Sequence, residues 1–283
     1  MELDIYQIDA FATEVFKGNP AAVIPLEAWL PTEMLQSIAL ENNLAETAYF
    51  VAHENGETGH FHLRWFTPEA EVDLCGHATL ASAFVLFEFL GEASEKLVFH
   101  TRSGELVVER GSDGRLSMDF PALASDEVMA DPSLIDAFAK AIDQPIERAY
   151  ISLEYLLCVL KSEVQIRDLS YSGLIGDTLR DTPFWGLIVT APADADSEFD
   201  FVSRFFAPEK GVPEDPVTGS AHCRLAPYWA ERLGKNNLVG YQASPRGGTV
   251  HCQMKDTQNE KRVILSGQTA PYLTGKISIP DIG

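Results

Sequence analysis

Basic residues are scarce in this chain of 283 residues: 21 Lys and Arg stand against 42 Asp and Glu, a formal net charge of −21. Nucleic-acid binding rests on cations that displace counterions from phosphates, and anionic membranes attract the same groups, so neither partner is expected. Cysteine is scarce as well. Cys75, Cys158, Cys223 and Cys252 show no CxxC spacing, which gives no disulfide framework or zinc pattern and fits a reducing cytoplasm. No apolar run approaches the roughly 18 residues of a membrane-spanning helix. The opening Met1-Glu2-Leu3-Asp4 lacks the basic and apolar regions of a signal peptide. GxGxxG, P-loop and Schiff-base lysine contexts are missing too. His60 and His62 alternate on one strand face, but no acid or thiol at ligand spacing completes a metal site.

What is present is a core and a repeat. Hydrophobic residues make up 46% of the chain, enough for a core in each of two domains. Arg64-Trp65-Phe66-Thr67-Pro68-Glu69 returns as Arg204-Phe205-Phe206-Ala207-Pro208-Glu209, about half a chain later. Asp73-Leu74-Cys75-Gly76-His77-Ala78 faces Asp215-Pro216-Val217-Thr218-Gly219-Ser220-Ala221. Gly91 and Gly234 follow at matched places, and Arg102-Ser103-Gly104 matches Arg246-Gly247-Gly248. Matches in one order at a nearly constant offset identify two copies of one unit.

Each copy reads as a hairpin (residues 47–51 with 60–66; 185–190 with 199–206), a Gly-containing turn, a helix and a second hairpin. The first helix, residues 78–90, is apolar on nearly every face and is expected to be buried all round; the second, 221–233, is partly so. Gly91 and Gly234 stand where a helix end favours the left-handed region. Shorter helices are expected at 33–41 and at 134–142, the latter capped by Ser133. The expected fold class is α+β: two pseudo-symmetric domains, each a barrel-like sheet around a central helix. The expected bounds are 1–120 and 121–267, with a crossover at 121–132 and a C-terminal strand within 268–283 returning to the first domain.

The turns entering the two main helices are the strongest chemical candidates. Gly76-His77 and Gly219-Ser220 each deliver the chain into a helix N-terminus, whose free amides and macrodipole favour an anion. Taken singly, each glycine also reads as an ordinary turn and Ser220 as a helix cap; matched places in a repeat favour a carboxylate ligand held between the halves. Glu46 enters an apolar strand, where burial tunes a carboxyl toward acid/base work, although a solvated strand-end Glu has the same local sequence. Asp73 and Asp215 read either as turn formers or as groups that orient His77 or the ligand. Cys75 reads as a thiolate at a helix N-terminus or as a buried, inert thiol, with no thiol at the matching place of the second copy. His222 reads as packing. Gly18-Asn19-Pro20 is a turn that can also line a cleft.

Gln7-Ile8-Asp9-Ala10-Phe11, Gly18-Asn19-Pro20, Asn43-Leu44-Ala45-Glu46-Thr47, Asp73 to Thr79, Glu214 to His222 and Ser244 to Gly248 together resemble the PhzF-like phenazine-biosynthesis family, within the diaminopimelate-epimerase-like fold. The resemblance spans almost the whole chain. It implies two similar domains with the active site between them, a homodimer, and no metal or organic cofactor. It places the family's catalytic Glu on Glu46 and ligand contacts on His77, Asp215 and Ser220. The related racemases use two thiols; here Cys75 fills the first position and Pro216 the second, which turns the expectation from two-thiol racemisation to Glu46. The expected activity is a cofactor-independent isomerase shifting a proton on a small carboxylate. The alternatives are an epimerase using Cys75 with Glu46, and a non-catalytic binding module.

Overall fold

A computed structural model describes residues 1–54, 56–123, 131–257 and 260–280. Residues 124–130, most of the expected crossover, lie outside the described residues, as do the last three of the chain. By internal contacts the chain divides into two compact units, Met1–Asp119 with Ser266–Gly283, and Phe120–Leu265.

In the first unit, β1 (Glu2–Ala10) pairs antiparallel with β2 (Asn19–Pro25), and β2 runs parallel to β3 (Glu46–Ala52). The connection between them is α1 (Thr32–Asn42). β3 pairs antiparallel with β4 (His60–Phe66), which meets the short β5 (Glu71–Val72) and runs parallel to β6 (Lys96–Thr101). β6 and β7 (Gly104–Arg110) form a hairpin that continues into β8 (Leu116–Pro121). The late strand β17 (Thr269–Ser278) lies antiparallel against β1. α2 (Gly76–Glu88) runs through this sheet and touches β1, β2, β3, β7 and β17. A helix with apolar groups on every face has no side to offer water, so the sheet must close around it. His77 to Ala83 and Val85 to Phe87 are all buried.

The second unit repeats those pairings. β9 (Arg148–Ser152) is antiparallel to β10 (Tyr155–Val159), and β10 is parallel to β11 (Gly186–Pro192). β11 is antiparallel to β12 (Phe201–Ala207), which meets the short β13 (Val212–Asp215) and runs parallel to β14 (Asn237–Gln242). β14 pairs antiparallel with β15 (Gly248–Asp256); β16 (Lys261–Gly267) follows. The central helix is α6 (Gly219–Leu233). Its Trp229 stacks on Phe201 of β12 with ring centroids 6.0 Å apart, and donates to Thr190 Oγ1 of β11 at 3.0 Å. Outside the sheet, α3 (Pro132–Ile142), α4 (Glu163–Arg167) and α5 (Gly173–Arg180) complete a core with Leu156, Leu187 and Phe206.

The repeated Arg acquires a structural meaning here. Arg64 Nε donates to Glu71 Oε1 at 2.7 Å, joining β4 to β5, and Arg204 Nε donates to Glu214 Oε1 at 2.5 Å, joining β12 to β13. Each guanidinium also lies over the Phe two residues on, Phe66 at 5.1 Å and Phe206 at 5.4 Å.

Three expectations need correction. Both main helices begin at their glycines, two residues earlier than apolar periodicity suggests, because Gly76 and Gly219 take helical geometry after an extended residue. Asp131, not Ser133, caps α3: its carboxylate accepts from Ser133 N at 2.8 Å, with Pro132 at the first helical position. Asp73 does not orient His77; it is exposed, with its carboxylate 4.0 Å from Arg102 Nη1.

Candidate active site

Glu46 opens β3, opposite Ala21 of β2, so the strand that carries it is anchored on its parallel neighbour. The first turn of α2 carries His77 beside it. Glu46 Oε2 lies 3.1 Å from His77 Nε2. The two atoms are out of line for a good hydrogen bond, both are buried, and neither meets another hydrogen-bond partner among the described residues. The other ring nitrogen of His77, Nδ1, lies 3.2 Å from Asn19 Nδ2 and 3.5 Å from Cys75 Sγ. An imidazolium at this place would need an acceptor at Nδ1, which a turn of the Asn19 amide provides. Asn19 is buried at the start of β2, where the left-handed Gly18 (φ +63°) turns the chain. A side chain at Gly18 would collide with the Ala10 carbonyl, so this turn is closed to other residues.

Burial alone would push the His77 imidazole down. The neighbouring Cys75 and Glu46 together carry it well above the ordinary histidine range. Cys75 goes the other way as an acid: burial raises its thiol and the Glu46 carboxylate raises it further, against the weaker pull of His77. The three side chains form one buried carboxyl–imidazole–thiol cluster. Their ligand atoms lie within 4.8 Å of one another, a spacing that a metal ion could use. The same spacing occurs at His53, Glu54 and His62. Glu54 and His62 are eight residues apart, so strand-by-strand reading missed the group.

In the second unit, Asp215 ends β13 and Ser220 is the second residue of α6. Thr218, at the N-cap position, does not cap the helix; its hydroxyl donates to Asp215 Oδ2 at 2.5 Å. Gln242 locks the turn by accepting from Thr218 N at 2.9 Å and donating to the Asp215 carbonyl at 2.7 Å. Ser220 is not the cap either. Its Oγ lies 3.2 Å from Tyr155 OH, and its carbonyl accepts from Arg224 Nη1 at 2.9 Å. The first turn of α6 is thus left with no side-chain cap, as an anion-binding helix end requires. Gly219 has no conformational need to be glycine: its φ is ordinary, and a Cβ there would meet only Leu265 Cδ1, at 4.0 Å. His222 is buried and neutral. Its Nδ1 donates to the Thr218 carbonyl at 2.8 Å, and burial lowers it to about 4.

Of the residues singled out in sequence, Glu46, His77 and Cys75 meet in one cluster of the first unit, and Asp215 with Gly219 and Ser220 surround one helix entry of the second. Thr218, Gln242, Tyr155 and Arg224 were missed. Thr218 stood in the repeated segment and could have been found there; the other three come from strands and a helix face with no signal of their own.

Two like units, each a sheet around a central helix, form a fold shared with epimerases. A hydroxyproline epimerase of Agrobacterium vitis has it at 11% identity and a TM-score of 0.61, over 99% of this chain and 93% of that one. The family model described as phenazine biosynthesis-like protein, PhzC-PhzF, matches residues 8–275, and the chain belongs to this family. An uncharacterized isomerase of Pseudomonas aeruginosa is 47% identical over 279 residues, covering 99% of this chain and all of that one. The crystal structure of a PhzF-family protein from Enterococcus faecalis superposes with a TM-score of 0.88 at 42% identity, covering 99% and 100% of the two chains. An uncharacterized isomerase of Halalkalibacterium halodurans is 40% identical over 279 residues, covering 98% of this chain and 99% of that one. No helix among the described residues is long and apolar enough to cross a membrane.

Proposed function

We propose that this protein is an isomerase that moves a proton between two carbons of a small carboxylate ligand, with Glu46 as the group that takes and returns it. The observation that carries this reading is the Glu46–His77 pair: two buried polar atoms, 3.1 Å apart, with no other hydrogen-bond partner among the described residues. Such atoms cost stability unless something polar meets them, and a ligand does so. As a carboxylate, Glu46 removes a proton from an acidic C–H. The C–H electron pair moves into the adjoining unsaturated or carboxylate system, and the charged imidazole of His77 stabilises the anion that forms. Glu46, now protonated, delivers the same proton to another carbon of that system and returns to its starting charge. The uncapped first turn of α6, with Gly219 and Ser220, and the first turn of α2 at Gly76 are assigned to the ligand's carboxylate and polar groups, with Asp215 positioning its turn.

The reading predicts solvent exchange. Wild type and Glu46→Gln are incubated in D₂O with a panel of small cyclic and amino-acid carboxylates and followed by mass spectrometry. Wild type should place deuterium on a ligand carbon, and Glu46→Gln should lower that rate on the order of 10²-fold or more. Exchange that survives in Glu46→Gln would remove Glu46 from the chemistry. Ligand binding without any exchange would leave a binding protein.

A further inference from the structure

We propose that the histidine cluster at the β3–β4–β6 edge binds one divalent transition-metal ion of the kind that favours imidazole, such as Zn²⁺ or Ni²⁺, through His53, Glu54 and His62. The site lies apart from the Glu46 cluster and does not depend on the reading above.

Strand register builds it. His60 and His62 share a face of β4 by two-residue alternation. The parallel pairing of β4 with β6 sets His100 beside His62, and His53 N donates to the His60 carbonyl at 3.0 Å, which places His53 just beyond β3 against the same edge. Four of the chain's seven histidines therefore share one patch. The ligand atoms of His53, Glu54 and His62 all lie within 4.8 Å of one another. His62 Nε2 is 2.6 Å from Glu54 Oε2, and the His53 and His62 rings stack at 4.4 Å. Tetrahedral zinc with bonds of about 2.0 Å needs donor atoms about 3.3 Å apart. Two imidazoles and a carboxylate reach that spacing by small side-chain rotations at a half-exposed edge.

Two further features favour an ion over a chance crowd. Imidazoles repel one another once charged, and an ion that shares their lone pairs removes that repulsion, which Glu54, Glu57 at 3.5 Å from His60, and Glu105 otherwise offset. Beside His53, Glu54 and His62, His100 has its ring 4.1 Å from that of His53 and lies 3.1 Å from His60 Nδ1 by its Nε2 and 3.6 Å from Glu105 Oε1 by its Nδ1. Engaged at Nε2, His100 stays behind the ion and the fourth position falls to water. A net charge of −21 favours approach of a cation.

The test uses the full chain, freed of any affinity tag and treated with chelator, titrated calorimetrically with ZnCl₂ and with NiCl₂, with melting followed in parallel. One equivalent should bind with a dissociation constant in the micromolar range or tighter, and a hundredfold excess over that constant should raise Tm by about 5 °C. The double variant His53→Ala/His62→Ala, checked for folding by circular dichroism, should weaken binding at least 100-fold, whereas Cys75→Ala should bind as wild type does. If the double variant fails to fold, Glu54→Gln replaces it, with a loss of about tenfold expected. Absence of binding heat and of any Tm shift, binding that survives these variants, or binding lost with Cys75→Ala would each overturn the assignment.

Discussion

On the proposed reading, a side chain that takes a proton and gives it back needs its charge held in place without being quenched, and His77 is the group placed to do this for Glu46. The contact, 3.1 Å but out of line, leaves the Glu46 carboxyl able to reach a ligand while the His77 ring stays close. Cys75 touches the same ring at 3.5 Å yet is kept a thiol by burial and by the carboxylate beside it. A thiol held neutral is a weak base, so Cys75→Ser should lower deuterium exchange by less than about tenfold, since its lost contact is only a weak hydrogen bond. A drop of 10³-fold, measured in the same assay, would restore the epimerase alternative in which the thiol takes a proton. At this scale much was legible beforehand. Glu46 and His77 stood out because a charged residue entering an apolar strand and a histidine at a helix entry are chemically odd. The histidine patch was not legible: His53 and His100 join His60 and His62 only through pairings of β3, β4 and β6, and spacing along one strand carries no register to the next.

At the scale of elements, the turn from β13 into α6 shows what a repeat can and cannot reveal. That Gly219 sits at the helix start was readable; that Thr218 turns its hydroxyl to Asp215 instead of capping was not, because it depends on Gln242 arriving from β14. Gly219→Ala isolates the ligand's share of this design. Alanine fits the local space, favours helix and limits the unfolded chain, so stability to urea should hold or rise by roughly 0.5 kcal/mol. Turnover should nonetheless fall at least about tenfold if a ligand approaches that backbone; unchanged turnover would return Gly219 to an ordinary turn. The Arg–Glu pairs make the opposite kind of statement. Arg204 is buried, and besides Glu214 it donates to the carbonyls of Ile166 and Leu169, so it ties β12 to β13 and to the end of α4. Arg204→Met strands a largely buried carboxylate and two carbonyls and should cost about 3–5 kcal/mol in urea unfolding. Arg64→Met should cost less, because Glu71 keeps Arg102 at 2.7 Å. Equal losses would mean that the guanidinium–Phe packing shared by both sites, not the ion pair, sets the cost.

Over the whole molecule, two buried histidines give the pH dependence opposite signs. His222 is lowered to about 4 by burial, so below the unfolded value near 6.5 the unfolded chain binds a proton that the folded chain refuses. Stability tied to His222 is therefore present above about 6.5 and drains away as pH falls toward 4. His77 is raised, so its contribution is complete below about 6.5 and is lost as pH climbs through its folded value. Net charge adds a third influence. With a sequence pI near 4.6, self-repulsion relaxes as acid is added, which favours the compact state over the range where His222 opposes it. A wild-type stability curve alone cannot separate these effects, but substitutions can. Between about pH 6.5 and pH 5, a group moved from 6.5 to about 4 costs about 1.5 kcal/mol, so His222→Gln should shrink the acid-side loss by about that amount, whatever its absolute stability. Glu46→Gln, which removes one of the two neighbours that raise His77, should flatten the alkaline side and leave the acid side as it was. Urea midpoints with unchanged m-values, read for both variants at three pH values, test the pair together. If His222→Gln leaves the acid limb intact, that limb belongs to surface carboxylates and not to the helix at the centre of the second unit.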